Sequence, residues 1–234
     1  MGQKKLIRFA AIKEFPNVLE FPKEMKGQWN EFFKNNNAIT LELACGKGEY
    51  TVGLARLYPQ RNFIGVDVKG NRIYIGAKKC LAEGLSNGAF LRTQIDRIAE
   101  YFAPGEADEI WLTFPDPQLR TGKHKKRLTH PKFLRLYQQF LKPGGIIHLK
   151  TDSPHLYRFT KTVIELYGLS LVKDIDNVYA RENIDEVLKI KTHYEGLDIA
   201  QSNRIFYLQF RLPAEIPNND EALKQRVFDE EKTN

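Results

Sequence analysis

Apolar and polar residues follow one another in blocks that fit buried strands separated by amphipathic helices. Short runs rich in Ile, Leu, Val and Phe predict seven strands, which are "AITLEL", "NFIGVDV", "GAFLRT", "EIWLTF", "IIHLKT", "LSLVKDI" and "NRIFYLQFRL". Apolar residues at helical spacing lie between several of these runs, as in "EYTVGLARLYP", "NRIYIGAKKCLAEG" and "PKFLRLYQQFL". This alternation predicts an α/β fold, a doubly wound and mostly parallel sheet with helices on both faces.

The two ends of the chain differ from this central pattern. The last predicted strand alternates strictly and follows an irregular stretch, which favours an antiparallel strand added at the edge of the sheet. The composition predicts a basic N-terminal extension over 1–37, one domain over 38–212 and a polar C-terminal tail over 213–234. The tail has few apolar residues, so we expect it to be mobile.

Charge is concentrated in one segment. The net charge is +7, yet Pro117 to Thr151 contains nine Lys and Arg residues and no Asp or Glu, which leaves −2 for the rest. The basic residues are Arg120, Lys123, Lys125, Lys126, Arg127, Lys132, Arg135, Lys142 and Lys150. Focused positive charge of this kind indicates a polyanionic partner such as nucleic acid. A solvated basic face without a ligand is the alternative.

Several classes of protein are disfavoured. The two cysteines are too few for a disulfide framework and predict a reducing compartment. No apolar run reaches the roughly 20 residues that span a bilayer, so we expect a cytoplasmic protein without a membrane partner. His124, His130 and His148 lack the spacing of metal ligands, so we expect no metal site.

The first strand leads into the glycine turn of "LELACGKGEY" and then into a helix. Gly46 and Gly48 allow a ligand to approach the backbone, and the helix N-terminus offers free N–H groups. A dinucleotide fingerprint would require a third glycine that is absent, which argues against a pyrophosphate. Asp67 ends the second strand 19 positions after Gly48, where a carboxylate can accept bonds from both hydroxyls of an adenosyl ribose.

Other polar residues are candidates for the same ligand. Glu42 lies inside the first strand, where an ionised group needs a partner such as the ammonium of S-adenosylmethionine, or else donors from a neighbouring turn. Gln94 and Asp96 follow the third strand, and either could accept from the adenine amine or be a surface residue. Asp116 lies between two prolines after the fourth strand, at the edge where ligands of such sheets bind. A solvated turn is its alternative.

The order of these motifs resembles that of a known family. The chain contains, in series, "LELACGKG", "FIGVDVK", "LTFPDP", "KHKKR", "LKTD" and "KTHYE". The series is similar to that of the bacterial tRNA (guanine-N7)-methyltransferases, which use S-adenosylmethionine to methylate a guanosine in the tRNA variable loop. The match covers about Ile39 to Leu212, and "FPDP" with its basic tract is the most specific part. The resemblance implies a class I, Rossmann-like methyltransferase with tRNA as its partner, as a monomer or a homodimer.

The resemblance also implies roles for individual residues. Glu42, Asp67 and Asp116 fall on the family's cofactor-contacting acids, and Asp116 also falls on its proposed catalytic residue. The family's substrate-contacting positions fall on Arg120, Asp152, Thr192 and Glu195. The chain departs from the family pattern at Ala44 in place of the first loop glycine, at Asp67 in place of Glu, at Gln94 in place of an acid, at Gln118 in place of Trp and at Gly122 in place of a basic residue.

The residue types fit the implied chemistry. N7 of guanine carries a free lone pair, so no general base is required, and a carboxylate such as Asp116 can offset the positive charge that develops on the ring. Asp116, Asp152 and Glu195 can accept from the guanine N1–H and N2–H donors, whereas Arg120, Lys123, Lys125, Lys126 and Arg127 can hold phosphates. Asp152 could instead cap the helix that begins at Pro154, and Glu195 could be an ordinary loop acid.

Three other functions compete with this hypothesis. A methyltransferase for protein or a small molecule would leave the basic tract unexplained. An RNA-binding module without catalysis is kept open by Ala44 and Gln118. A nicotinamide dehydrogenase is disfavoured by the missing glycine and by the antiparallel last strand.

Overall fold

A single mixed sheet forms the centre of the molecule. The structure, a computed structural model, describes residues 3–197 and 199–232, so the extreme ends of the predicted N-terminal extension and C-terminal tail lie outside the described residues. Its strands are β1 (Val18–Glu20), β2 (Ile39–Leu43), β3 (Asn62–Asp67), β4 (Gly88–Arg92), β5 (Ala107–Thr113), β6 (Leu141–Thr151), β7 (Ser170–Ile175) and β8 (Phe206–Arg211). They lie in the order β1-β4-β3-β2-β5-β6-β8-β7.

Helices cover the sheet and connect most of its strands. The α-helices are α1 (Gln3–Ala11), α2 (Trp29–Phe33), α3 (Glu49–Leu57), α4 (Gly70–Ala82), α5 (Pro131–Tyr137), α6 (Pro154–Leu166), α7 (Glu186–Lys189) and α8 (Asp220–Lys232). Short 3-10 helices span Ile12–Glu14, Ile95–Glu100, Thr121–Lys126, Val178–Ala180 and Glu195–Leu197. The strands β2 and β3 are buried along their whole length, as expected for parallel strands with helices on both faces.

The predicted doubly wound fold is confirmed, with one strand more than the seven expected. The additional strand is β1, which pairs in parallel with β4 at one edge of the sheet. Its three residues lie between Pro16 and Pro22 and are too few to show a periodic pattern. The extra strand therefore comes from the segment predicted as an N-terminal extension.

The last strand is antiparallel, as predicted, but its predicted place at the edge of the sheet is wrong. Strand β8 lies between β6 and β7 and pairs antiparallel with both. Its residues Phe206, Leu208 and Phe210 are buried in the main core, which an inner position provides. The edge strand is β7, whose Leu171 and Val172 are exposed.

The C-terminal segment is not the mobile tail that its polar composition predicts. Helix α8 packs on the core through Leu223 and Val227, both of which are buried. The Asp220 carboxylate at its start accepts hydrogen bonds from the Arg135 guanidinium and from the Tyr167 hydroxyl. Few but well-spaced apolar residues and one partly buried ion pair are enough to order this segment, because their partners lie far away in the sequence.

The carboxyl ends of the central strands form one continuous edge. Strands β2 to β6 run in the same direction, and the register places Thr113 opposite Lys150. The loops after β5 and β6, which carry Asp116 and Asp152, therefore leave neighbouring strands on the same side. Parallel α/β sheets bind their ligands at this edge.

Three further features bear on the predicted class of protein. None of the helices in the described part of the chain has both the length and the apolar character to cross a membrane. Within residues 3–197 and 199–232, no three His, Cys, Asp or Glu side chains form a group that could hold a metal ion. Cys45 and Cys80 are free and buried, and burial raises the pKa of both thiols.

Candidate active site

The glycine loop after β2 folds through three residues with left-handed backbone. Ala44, Gly46 and Gly48 have φ values of 60°, 58° and 68°. A Cβ at Gly48 would lie 2.4 Å from the Phe90 ring, so this position admits only glycine. Ala44 adopts the conformation without being glycine, which costs on the order of 1 kcal/mol. The departure at Ala44 therefore adds strain to the loop.

Glu42 is buried inside β2 and accepts three hydrogen bonds from the protein. They come from the Thr51 N–H at 2.8 Å, the Thr51 hydroxyl at 2.5 Å and the Thr113 hydroxyl at 2.6 Å. The Thr51 N–H belongs to the first turn of α3, so the carboxylate caps this helix from a neighbouring strand. Burial nevertheless raises the pKa of Glu42 to about 7, with the hydrogen bonds opposing this rise. The structure thus supports the alternative of donors from a neighbouring turn.

Glu42→Gln should change how stability depends on pH. Because the folded pKa of about 7 lies above 4.5, the folded state holds its proton longer than the unfolded state does. The stability that Glu42 contributes through this proton is fully present below pH 4.5. It is lost as the pH rises through about 7, which lowers the free energy of unfolding by up to about 3 kcal/mol. The variant should therefore gain stability relative to the wild type over this range. Urea unfolding between pH 4 and pH 8 measures it, with exposed Glu31→Gln as the control, and a constant difference at every pH would contradict it.

Two polar side chains lie beside the glycine loop, the carboxylate of Asp67 and the hydroxyl of Thr93. The Asp67 carboxylate accepts from the Gly46 N–H at 3.0 Å and from the Lys69 N–H at 2.8 Å. A carboxylate has about four acceptor positions, so capacity for two ribose hydroxyls is left. The Thr93 hydroxyl is buried and has no hydrogen-bond partner among the described residues. A buried hydroxyl of this kind suits a polar ligand group, and the site therefore fits an adenosyl cofactor.

The two candidates for adenine recognition differ in their surroundings. Asp96 forms an ion pair with Lys132 on α5, and both side chains are more than half exposed. Gln94 is exposed, directly follows Thr93 and makes no side-chain hydrogen bond to the 3-10 helix that it precedes. The amide of Gln94 is thus the better placed of the two to face a ligand beside Asp67.

Asp116 lies at the tip of a rigid loop after β5. Phe114 and Gln118, on either side of the Pro-Asp-Pro sequence, both have positive φ, at 48° and 47°. Such backbone costs about 1–3 kcal/mol per residue and persists only where the surroundings enforce it. The Asp116 carboxylate is exposed and accepts from the Gln118 N–H at 2.9 Å. This loop therefore presents a fixed carboxylate to the carboxyl edge of the sheet.

The basic tract after this loop separates into exposed and internal charges. Arg127 is buried and donates to the Pro117 and Gln118 carbonyls at 3.1 and 3.2 Å, so it holds the Asp116 loop from inside the protein. Lys132, Arg135, Lys142 and Lys150 each pair with a carboxylate. The exposed side chains that form no ion pair with a described carboxylate are Arg120, Lys123, Lys125 and Lys126. The hypothesis of phosphate contacts therefore rests on these four.

Asp152 connects β6 to a distant loop. Its carboxylate accepts from the Ala200 N–H at 3.3 Å, and its carbonyl accepts from the Ser202 hydroxyl at 2.8 Å. The alternative that Asp152 caps α6 is wrong, because Ser153 is the N-cap residue and accepts from the Leu156 N–H. Asp152 thus orders the 200–204 loop beside the carboxyl edge.

Thr192 and Glu195 belong to a segment that returns to the glycine loop. The Thr192 hydroxyl accepts from the Glu195 N–H at 3.2 Å and starts a short 3-10 turn. A Cβ at Gly46 would lie 3.7 Å from the Tyr194 ring, and the Arg72 guanidinium lies 5.6 Å from the centre of the same ring. The "THYE" sequence is therefore in contact with the candidate cofactor loop.

Lys150 is a polar residue of this edge to which the sequence motifs assign no role in the site. Its ammonium is fully buried and donates to the Leu188 and Ile190 carbonyls and to the Glu195 carboxylate. Burial lowers the pKa of Lys150, and the Glu195 carboxylate opposes part of this effect. The signal in the sequence is a lysine near the end of a strand, "IIHLKT", that is rich in apolar residues.

A cavity of about 290 Å³ lies elsewhere, toward the amino ends of β3 and β5. Its wall includes Arg61, Glu109 and His148, and the Glu109 carboxylate lies within ion-pair distance of both basic side chains. These neighbours lower the pKa of Glu109 to about 2 in spite of its burial. Arg61 and Glu109 form an ion pair inside this cavity, which lies away from the carboxyl ends of the strands, and the carboxyl edge remains the candidate site.

Known proteins resemble this chain in sequence and in fold. Residues 36–208 match the family model described as "Putative methyltransferase". The "tRNA (guanine-N(7)-)-methyltransferase" of Bacteroides thetaiotaomicron is 47% identical over 224 residues, which cover 92% of this chain and 88% of the relative. The protein of that name from Christiangramia forsetii is 45% identical over 223 residues, covering 91% of this chain and all of the relative.

Solved structures of ribosomal RNA methyltransferases share the fold. The "30S ribosomal A1408 methyltransferase" from an uncultured bacterium has a TM-score of 0.58 at 18% identity and covers 80% of this chain and 93% of its own. The 16S rRNA methyltransferase KamB has a TM-score of 0.58 at 16% identity, over 80% of this chain and 94% of its own. At these identities the likeness shows the class I methyltransferase fold alone.

Proposed function

Because the chain belongs to the family of tRNA (guanine-N7)-methyltransferases, we propose that it transfers a methyl group from S-adenosylmethionine to N7 of a guanosine in the variable loop of tRNA. One observation carries this proposal. At the carboxyl edge of the sheet, the glycine loop with Asp67 lies on the same side as the rigid Asp116 loop, and four exposed basic residues follow Asp116 directly. The Asp116 carboxylate therefore lies between a site suited to an adenosyl cofactor and a basic surface suited to a polyanion.

The cofactor would be held by residues at the carboxyl ends of β2, β3 and β4. Asp67 would accept from the ribose hydroxyls, Gln94 rather than Asp96 would face the adenine, and the backbone at Gly46 and Gly48 would allow close approach. Glu42 would act through α3, since its oxygens already accept from Thr51 and Thr113. Bound S-adenosylmethionine supplies a methyl group on a positively charged sulfonium.

The residues around the target base would position it and stabilise charge. N7 of guanine is a nucleophile without deprotonation, so the protein needs no general base. Positive charge appears on the guanine ring during transfer, and the fixed Asp116 carboxylate would stabilise it. Asp152 and Thr192 flank the same edge and are further proposed contacts of the substrate. The compartment that this substrate implies is the cytoplasm.

Removing the exposed basic tract should weaken tRNA binding and reduce its dependence on salt. Lys123, Lys125 and Lys126 are exposed and contact no described carboxylate, so each is available for a phosphate. The logarithm of the association constant falls as the logarithm of the salt concentration rises. The triple change to Ala should make this slope shallower by about 2 to 3. Filter binding of tRNA between about 50 and 200 mM salt measures the slope.

A matched control removes the same charge from three lysines outside residues 120–127, each of which already has a carboxylate partner. Lys142, Lys161 and Lys224 are exposed and already paired with Asp108, Asp174 and Glu221. Their triple change to Ala should leave the slope close to that of the wild type. Equal slopes for the two triple variants would mean that net charge alone, rather than this tract, governs binding.

The substrate class is tested by competition between acceptors. Purified protein, S-adenosylmethionine with a labelled methyl group, tRNA transcript and a mixture of unmodified proteins are incubated together. The proposal expects the label in the tRNA fraction only. Label in protein would favour a methyltransferase of another substrate class, and retained S-adenosylmethionine and tRNA binding without any transfer would favour an RNA-binding module.

A further inference from the structure

Lys150 is completely buried, and every hydrogen of its ammonium has an acceptor. The acceptors are the Leu188 carbonyl at 2.8 Å, the Ile190 carbonyl at 2.9 Å and the Glu195 carboxylate at 3.0 Å. The rings of Tyr50, Phe114 and Tyr179 lie 5.4 to 5.8 Å from the ammonium. A buried lysine is rare without such pairing, and here all of its partners beyond the rings belong to one segment of the chain.

Glu195 is held as firmly from its other side. Its side chain is only 6% exposed, one carboxylate oxygen faces Lys150, and the other accepts from the Tyr179 hydroxyl. A carboxylate that is only 6% exposed offers little surface to a guanine, and separating it from Lys150 would leave the ammonium buried without its counter-charge. The geometry therefore suits a structural pair better than a direct contact of the substrate.

The segment held in this way reaches the rest of the active site. Tyr194 lies against Gly46, and Ile190 packs against Gly53 of α3, where a Cβ would lie 2.8 Å from it. On its own strand, Lys150 accepts through its carbonyl from the Phe114 N–H at 2.8 Å, at the start of the Asp116 loop. Lys150 thus touches both the loop that presents Asp116 and the segment that lies against the cofactor loop.

We propose that Lys150 and Glu195 form a buried latch, which fixes the 186–197 segment against the cofactor loop, and that Glu195 is a positioning residue rather than a ligand of guanine. The inference rests on the proposed function. Loss of either partner leaves the other buried without its counter-charge, which is more costly than loss of both. Loss of Lys150 or Glu195 should therefore weaken cofactor binding even when no RNA is present.

The test measures binding of S-adenosylhomocysteine by calorimetry, without tRNA, to wild type, Lys150→Met, Glu195→Gln and the double variant. We expect Lys150→Met to raise Kd about tenfold or more, because it leaves the Glu195 carboxylate buried without a counter-charge. Glu195→Gln should raise Kd about threefold, because the amide oxygen can still accept from the Lys150 ammonium. The double variant should be no worse than Lys150→Met, because paired residues are not additive.

Lys173→Met is the matched control. Lys173 pairs with Asp185 at 2.7 Å and so ties the residue directly before the same segment to the edge strand β7, but both side chains are 40% or more exposed. An exposed pair contributes about 0–1 kcal/mol, so the control should change Kd less than about threefold. A control that weakened binding as much as Lys150→Met would overturn the latch, because any tether of the segment would then have the same effect.

Two outcomes decide the role of Glu195. If Glu195→Gln leaves the Kd of S-adenosylhomocysteine unchanged and lowers only kcat/KM for tRNA, Glu195 is a guanine ligand and the proposal is overturned. Additive effects of Lys150→Met and Glu195→Gln would overturn it as well. Tyr179→Phe removes a single hydroxyl from the Glu195 carboxylate and should raise Kd less than Glu195→Gln does.

Hydrogen exchange separates this inference from the proposed function. In the ligand-free protein, the amides of residues 186–197 should exchange faster in Lys150→Met and in Glu195→Gln than in Lys173→Met, with other regions unchanged. A wild type that bound no S-adenosylhomocysteine would contradict the proposed function. The hydrogen-exchange rates of residues 186–197 in the variants would then show by themselves whether the latch exists. Equal exchange in all variants would overturn the latch while methyl transfer to tRNA still supported the function.

Discussion

Asp116→Asn should lower kcat for methyl transfer to tRNA by about 100-fold, because removal of one fixed electrostatic group from a reacting centre typically costs about 10²–10³ in rate. The amide keeps the shape of the side chain and can still accept from the Gln118 N–H, so the Pro-Asp-Pro loop should keep its path. What disappears is the negative charge that would stabilise the methylated guanine. The measurement is single-turnover methyl transfer at saturating tRNA.

The control for Asp116→Asn is the same change at the end of another strand. Asp176 follows β7, is exposed and is not part of the proposed site, so Asp176→Asn should change kcat by less than about twofold. The affinity of the Asp116 variant for tRNA should fall far less than its kcat. A variant with wild-type kcat and a raised KM would show instead that Asp116 only binds the substrate.

Gly48→Ala should destabilise the protein by about 2–5 kcal/mol, from the strain of a left-handed residue and the clash of a new Cβ. The Cβ would lie 2.4 Å from one atom and 2.8 Å from another atom of the Phe90 ring, which is itself fully buried and unable to retreat. Because Gly48 belongs to the cofactor loop and is the N-cap residue of α3, binding of S-adenosylhomocysteine should be lost together with stability. Urea unfolding and calorimetry measure the two effects.

Gly84→Ala provides the comparison, since the two positions share a backbone conformation and differ in the space around them. Gly84 has a φ of +67°, and a Cβ at this position would have no atom of the described residues within 4 Å. Its change to Ala should therefore cost only about 1 kcal/mol and leave cofactor binding intact. Equal destabilisation by the two variants would contradict the packing argument and leave only the strain of the backbone.

The alternation of strands and helices could be predicted because the inner strands are continuous apolar runs and their connections keep helical periodicity. Strand β1 has only three residues, so it has no pattern to detect, and it exists because β4 offers an edge for pairing. The position of β8 between β6 and β7 depends on which strand edge is free for pairing when the sheet assembles. The local sequence of β8 does not specify this partner strand.

The candidate site shows the same division between local and tertiary information. Motif order brings Asp67, Asp116 and Asp152 to the carboxyl edge, because the direction of each strand fixes where its loop emerges. The contacts of Asp96 and Arg127 could not be predicted from the sequence. The ion pair of Asp96 with Lys132 and the inward position of the Arg127 side chain depend on contacts between separate elements. The role of Lys150 could not be predicted for the same reason, as its acceptors lie 38 to 45 residues away.

The position of the transferred methyl group tests the central claim most directly. The protein is incubated with S-adenosylmethionine and an unmodified tRNA transcript that has a guanosine in its variable loop, and the product is mapped by chain cleavage at N7-methylguanosine and by mass spectrometry of its nucleosides. The account predicts a single N7-methylguanosine, located in the variable loop and absent with Asp116→Asn. A methyl group on another base or another position, or no transfer by a protein that binds both ligands, would contradict it.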